Sequence, residues 1–174
     1  YIFRAATEAK VKNVIFFSCT VMYPSSLQPL KETDLDLNTP LHERYFGVGW
    51  TKLYLEKMGE FYSGISDTKF TVIRHSNIYG PHDKFDLEKS HVMGATITKV
   101  LSAPEGSSVQ VWGTGDEERD LLYVDDLTSF VEKAIQRQET SFSLLNCGYG
   151  TAISIKALVQ KIIKLSGKDL SIEH

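Results

Sequence analysis

The chain has 174 residues, 42% of them hydrophobic and 24% charged, with a net charge of −3 and a pI near 6.0. That length can bury a real core in one domain, the mild acidity gives no basic field for nucleic acid, and no apolar run approaches the ~20 residues of a membrane span. There is no signal-peptide pattern at the start, and Cys19 and Cys147 each close an apolar run, so the expectation is reduced thiols in a cytoplasmic protein, without a disulfide framework or a metal site.

In chain order, "YIFRAATEAKVKN" has helical period, with Phe3, Ala6 and Val11 as its apolar stripe and Lys10 and Lys12 near its C-terminal dipole. "NVIFF" (13–17) is a continuous apolar run, as in a buried parallel strand. Residues 23–46 hold three prolines among many Ser, Asp, Asn and Thr, which predicts a long surface loop, and such loops in compact domains are usually functional. From Val48 to Ser63, Leu53, Leu55, Met58, Phe61 and Tyr62 recur at helical spacing. "FTVIR" (70–74) reads as a second buried strand, and "HSNIYGPHDKFDLEKS" as a Gly/Pro-broken loop. A helix is predicted over 91–103, a strand over 108–113, a polar turn at "GTGDEERD" and a strand end at "LLYV". Asp125 or Asp126 is expected to cap the helix "LTSFVEKAIQ". "FSLLNCG" is a third buried strand, and Ser154 should cap "IKALVQKIIKLSG", which stops at Gly167.

Strands therefore alternate with helices, which argues an α/β fold with a mostly parallel sheet. Ligands in such folds bind beyond the carboxyl ends of the strands, so Ser18, Cys19, Thr20, His75, Ser76, Asn77 and Trp112 are the positions of interest.

Five stretches, "FFSCTVMYP", the helix with Lys52, "VIRHSNIYGP", "VQVWGTGDEERDLLYVDDL" and "LNCGYGTAISIKALV", occur in an order that resembles the extended short-chain dehydrogenase/reductase family of sugar-nucleotide epimerases, dehydratases and reductases. "YGPHDKFDLEKSHV" looks most like the GDP-fucose synthase branch. The resemblance implies a partial Rossmann-like, doubly wound parallel sheet with a small C-terminal substrate-binding region. Residues 1–80 would be the second half of a dinucleotide-binding domain, and 81–174 a substrate region interleaved with the last Rossmann strand and helices. It implies NAD or NADP as cofactor, a nucleotide-diphosphate sugar as substrate and a homodimer as the assembly.

By the same resemblance, Ser18, Cys19 or Thr20 would hydrogen-bond the reacting sugar oxygen, the three left open by a one-residue shift at Met22. Lys52 would bind the nicotinamide ribose and depress a neighbouring phenol's pKa, with Ser18, His75 and Ser76 beside the nicotinamide. Asn77, His91, Lys99, Trp112 and Arg119 would contact the substrate: His91 as an acid beside the sugar, Trp112 by stacking on the base, Arg119 by its planar fork on the diphosphate. The plain alternatives are a polar strand end, solvated lysines, a surface histidine, a core tryptophan and an arginine paired within its own charge run.

Two departures stand out. Val48 occupies the tyrosine position of Tyr-x-x-x-Lys, and a valine exchanges no proton; Tyr45, His91 and Cys19 are the groups that could take over. No Gly-x-Gly-x-x-Gly opens a helix, so the usual pyrophosphate cradle is missing. With both ends appearing interrupted, the expectation is a piece of a longer protein whose sheet is open beside "NVIFF". A non-catalytic member that binds a nucleotide sugar or dinucleotide is the other reading.

Overall fold

The computed structural model describes residues 1–87 and 89–174. The chain divides into two compact units, Tyr1–Ser76 with Asp125–Gly148, and Asn77–Val124 with Tyr149–His174.

The first unit is built on a three-stranded parallel sheet of order β1-β2-β6, from Asn13–Cys19, Lys69–His75 and Phe142–Cys147. Of the three, the middle strand is the buried one, from Phe70 to Arg74, with Phe70, Val72 and Ile73 almost fully enclosed. That is where a continuous apolar run is needed. The sequence reading expected "NVIFF" and "FSLLNCG" to be buried as well. Both are half-buried, because each has a neighbouring strand on one side only, and Phe17 of β1 is exposed. Among the described residues β1 is thus an edge, as expected.

Helix α1 (Ile2–Glu8) is short and is held by Phe3, whose ring meets Phe16, Tyr62 and Phe70 edge-on at 5.9, 6.5 and 5.3 Å. Helix α2 (Phe46–Gly64) joins β1 to β2. Its buried face is Gly49, Leu53, Glu56, Gly59 and Ser63, not the stripe expected from apolar spacing. Leu55, Met58 and Tyr62 are half-buried, and Phe61 is exposed. Close approach explains the difference: a Cβ at Gly59 would already touch the Phe70 ring at 3.6 Å and the Phe142 ring at 3.8 Å. Glycine and serine therefore take positions on the sheet-facing side, and Trp50, Tyr54 and Phe61 turn outward. The long loop before α2 is as expected, apart from two short 3-10 turns at Glu32–Asp34 and Glu43–Tyr45. Helix α4 (Val124–Arg137) leads from the second unit back to β6. It begins at Val124, so Asp125 and Asp126 lie inside its first turn instead of capping it, where their charge still complements the dipole.

The second unit packs Val100, Val109, Val111 and Val159 into an aliphatic core, with Ile155, Ile162, Ile163, Leu170 and Ile172 against it. Its helices are α3 (Val92–Ser102) and α5 (Ile155–Ser166). Ser154 caps α5 by accepting from the Ala157 N–H, and Gly167 ends it at φ 72°, a conformation that favours glycine. Strand β4 (Ser108–Gln110) pairs in parallel with β8 (Ser171–Glu173). Strand β5 (Glu118–Tyr123) lies between β3 (Asn77–Tyr79), parallel, and β7 (Ala152–Ser154), antiparallel. β3 and β7 are three residues each and lie in polar stretches with no period to read. β5 starts three residues before "LLYV", so Arg119 sits in a strand and not in the polar turn. No helix among the described residues is long and apolar enough to cross a membrane.

Candidate functional site

In the first unit, Lys52 is half-buried on α2 and donates from Nζ to the Phe17 carbonyl at 2.5 Å, with its ammonium 5.0 Å from the Phe16 ring centre. It is therefore drawn to the carboxyl end of β1, two residues from Cys19. The Cys19 thiol is pushed up by burial, and a hydrogen bond from the Val21 backbone and the nearby Lys52 charge oppose this in part. Thr20 follows at the strand end, half-buried. Ser18 points elsewhere: it is fully buried and donates from Oγ to Glu56 Oε1 at 2.5 Å. Strand alternation explains the split, since neighbouring residues face opposite sides of the sheet.

Cys19, His75 and Cys147 lie in one row across β1, β2 and β6. His75 is half-buried, its Nδ1 2.8 Å from the Ser76 carbonyl and its ring 6.4 Å from that of Phe17. The Ser76 N–H donates to the Cys147 carbonyl. Neither Cys19 nor Cys147 is in a disulfide, and no metal-binding cluster of His, Cys, Asp and Glu occurs among the described residues.

Tyr45 stands at the N-cap of α2, partly exposed, its ring 5.6 Å from that of His42. Seven residues separate it from Lys52, about 10 Å along a helix and nearly the same side of it. Val48 is exposed to a similar degree.

Behind these residues lies a buried polar network that sequence reasoning missed. Arg74 forks onto Glu56, Nη2 to Oε2 at 2.6 Å and Nε to Oε1 at 3.1 Å, with both side chains about 95% enclosed. Its Nη1 donates to the Tyr23 hydroxyl at 2.7 Å and to the Glu32 carbonyl at 3.2 Å. Tyr23 in turn donates to Asn146 Oδ1 at 2.9 Å, while the Asn146 N–H and Nδ2 donate to Glu32 Oε1 and the Leu30 carbonyl. Burial drags the Arg74 guanidinium down, but its bonds to Glu56 and Tyr23 outweigh this and leave it raised. A signal was available: Glu56 falls one turn after Lys52, in register with buried Leu53, and Arg74 ends the most apolar strand.

The second unit carries the remaining residues. Asn77 opens β3, exposed, and donates from Nδ2 to the Asp120 carbonyl at 3.1 Å. The Asp120 carboxylate accepts from the N–H groups of Tyr149 and Gly150 at 2.9 and 2.7 Å, fixing the turn after β6. His91 is the exposed N-cap residue of α3 and makes no side-chain capping bond. Lys99 and Trp112 come together, the ammonium 5.3 Å from an indole that is 84% exposed, so Trp112 is no core residue. Lys99 also donates to the Gln110 carbonyl at 3.3 Å. Arg119 is exposed and folds back onto the Glu118 carbonyl at 2.7 Å.

The sequence pattern of the NAD dependent epimerase/dehydratase family matches residues 1–148. The chain belongs to that family. A GDP-L-fucose synthase of Azorhizobium caulinodans is 30% identical over 166 residues, covering 92% of this chain and 53% of that enzyme. A GDP-L-fucose synthetase of Naegleria fowleri superposes with a TM-score of 0.85 at 22% identity, over 98% of this chain and 55% of that one. A GDP-mannoheptose C4 reductase of Campylobacter jejuni with NADP bound gives 0.83 at 23% identity, over 99% and 62%. The structural likenesses carry the Rossmann-like fold. The chain spans about half the length of the curated relatives it matches.

The family implies a nicotinamide dinucleotide, and the residues present fit one part of it. A half-buried ammonium held at a strand's carboxyl end suits the hydroxyls of a ribose. A glycine-rich pyrophosphate cradle is not found in these 174 residues.

Proposed function

We propose that these residues are the nicotinamide-proximal and substrate-binding part of an NAD(P)-dependent sugar-nucleotide epimerase, dehydratase or reductase. The observation that carries the reading is Lys52 tethered to the Phe17 carbonyl beside Cys19 and Thr20. Within a family whose cofactor moves hydride to and from sugar carbons, that tether puts a fixed cation where an oxyanion or phenolate is needed. Residues 1–80 act as the second half of the dinucleotide-binding domain, and 81–174 supply the substrate side.

In this reading Lys52 holds the ribose hydroxyls, and Ser18 holds its place in the core. Cys19 or Thr20 is left to meet the reacting sugar oxygen. His75 and Ser76 border the nicotinamide, and Asn77 meets the sugar-phosphate side. Lys99 and Trp112 form a charged, stacking edge for a nucleoside diphosphate, since an exposed indole under an ammonium can take a base on its face. Arg119 is free to swing from the Glu118 carbonyl to phosphate oxygens. The acid is Tyr45 or His91, the two side chains able to exchange a proton that stand in for the tyrosine Val48 replaces.

The outer face of α2 exposes Trp50, Tyr54, Phe61 and Ile65 at helical spacing, an apolar stripe that a second copy would cover in a homodimer. Sedimentation of the full-length protein at micromolar concentration should give the dimer, and Tyr54→Glu with Phe61→Glu the monomer.

In the full-length protein, assayed with NADPH and a GDP-keto sugar, Tyr45→Phe and His91→Ala should differ sharply, the acid being whichever loses ~10²-fold or more in turnover. The exposed Val48 supports a second reading, a binding module without chemistry. That reading wins if neither change matters and Val48→Tyr creates activity.

A further inference from the structure

We propose that Arg74 and Glu56 are positioning residues: their buried pair clamps the 23–46 loop onto the end of the sheet, and with it the Lys52 and Cys19 side of the site. In calling the positioned groups a site, the inference rests on the reading above; the clamp itself stands on the geometry alone.

The loop has one apolar anchor near its end, Leu41 against Gly49 of α2, and little else of that kind. Leu27 and Leu37 point to solvent, Leu30 and Leu35 are only half-buried, and the turns at Lys31–Asp34 and Asp36–Thr39 are bonded within the loop. Its attachments to the sheet are polar and converge on two strand ends. Arg74 of β2 takes the Tyr23 hydroxyl and the Glu32 carbonyl; Asn146 of β6 takes the Tyr23 hydroxyl, the Glu32 carboxylate and the Leu30 carbonyl. The Arg74 guanidinium also lies 5.2 Å from the Tyr23 ring centre. Glu56 closes the circuit, since its carboxylate accepts from Arg74 and from Ser18 of β1. One helical turn earlier, Lys52 reaches the carbonyl next to Ser18. Helix α2 is thus pinned to β1 at two successive turns, and the same carboxylate pins the loop through Arg74.

Burying such a pair is a poor way to gain stability, because desolvation offsets most of the attraction and apolar replacements are often neutral. What the network supplies instead is direction. A guanidinium with bonds along its plane fixes three partners at set angles. The loop enters α2 at Tyr45, so its placement also sets where that phenol stands.

The test uses no substrate, so its failure is separable from failure of the enzymatic reading. Two variants, Tyr23→Phe and the apolar pair Arg74→Met with Glu56→Leu, are followed by thermal melting, by segment-resolved hydrogen exchange and by the rate at which a small aromatic disulfide labels Cys19. The expected result is a melting temperature within a few degrees of wild type, amides of residues 23–46 exchanging about tenfold faster, Cys19 labelling about tenfold faster, and β2 amides unchanged. Unchanged loop exchange and labelling would overturn the proposal. So would a large fall in melting temperature with faster exchange throughout, which would make the pair a structural prop. If the apolar pair does not fold, Tyr23→Phe together with Asn146→Ala decides the same question, because neither leaves a buried charge unpaired.

Discussion

The two units solve the problem of a small interior differently. The second closes mainly on aliphatic side chains, Val100, Val109, Val111 and Val159, and leaves Asn77, His91, Trp112 and Arg119 at its surface. The first places an ion pair, a serine and a tyrosine at the end of its sheet, behind Lys52 and Cys19. An apolar core tolerates small shifts, whereas a forked ion pair sets angles and punishes the loss of either partner. The difference leaves the first unit with side chains held at set angles and the second with polar side chains that its core does not fix.

The sharpest way to break this contrast is Arg74→Met alone. It strands the Glu56 carboxylate in the core and should cost about 3–5 kcal/mol in urea unfolding. The apolar pair Arg74→Met with Glu56→Leu should recover most of that. A loss under 1 kcal/mol for the single change would place the pair among surface ion pairs and erase the distinction.

Next in size is Val109→Ala, expected to cost about 2 kcal/mol from lost burial and an unfilled gap. Hydrogen exchange should locate the damage in β4, β8, α3 and α5, with β2 amides keeping their protection. Equal loosening of β2 would mean that the two interiors behave as one cooperative core.

Ser154→Ala removes the acceptor for the Ala157 N–H and should cost about 1 kcal/mol. Helical content near α5, read by exchange of its first turn, should fall with it. Ser154→Asp should restore most of the loss.

The smallest effect concerns pH. The Cys19 thiol is raised by burial, so the folded chain holds that proton when the unfolded chain has released it. The stabilising contribution is complete below the unfolded thiol value of about 8.5 and fades as pH rises through the folded value. Stability between pH 8 and 10 should therefore fall more steeply for wild type than for Cys19→Ser, and labelling of Cys19 should stay slow at pH 7. Identical pH slopes would show that the thiol is effectively solvated.

The local elements were legible in the residues. "FTVIR" is apolar without interruption because a middle strand is covered on both faces, and the structure has it as β2. The Ser154 cap and the Gly167 stop are chemical necessities of helix ends, and both are where the letters put them. The ordered motifs identified the family for the same reason: each is a short stretch whose role is local. Apolar spacing misjudged the buried face of α2, since close approach to Phe70 and Phe142 selects small residues there and leaves Phe61 outside. It missed β3 and β7, three-residue strands whose hydrogen bonds come from partners more than thirty residues away. Tertiary structure alone decided that Ser18 serves the core while Cys19 and Thr20 stand at the strand end, that Lys99 meets Trp112, and that Glu56, Arg74, Tyr23 and Asn146 form one network. Those are pairings between side chains that lie from 13 to 123 residues apart. A sequence states what each side chain can donate or accept; only the folded chain settles which partner is within reach.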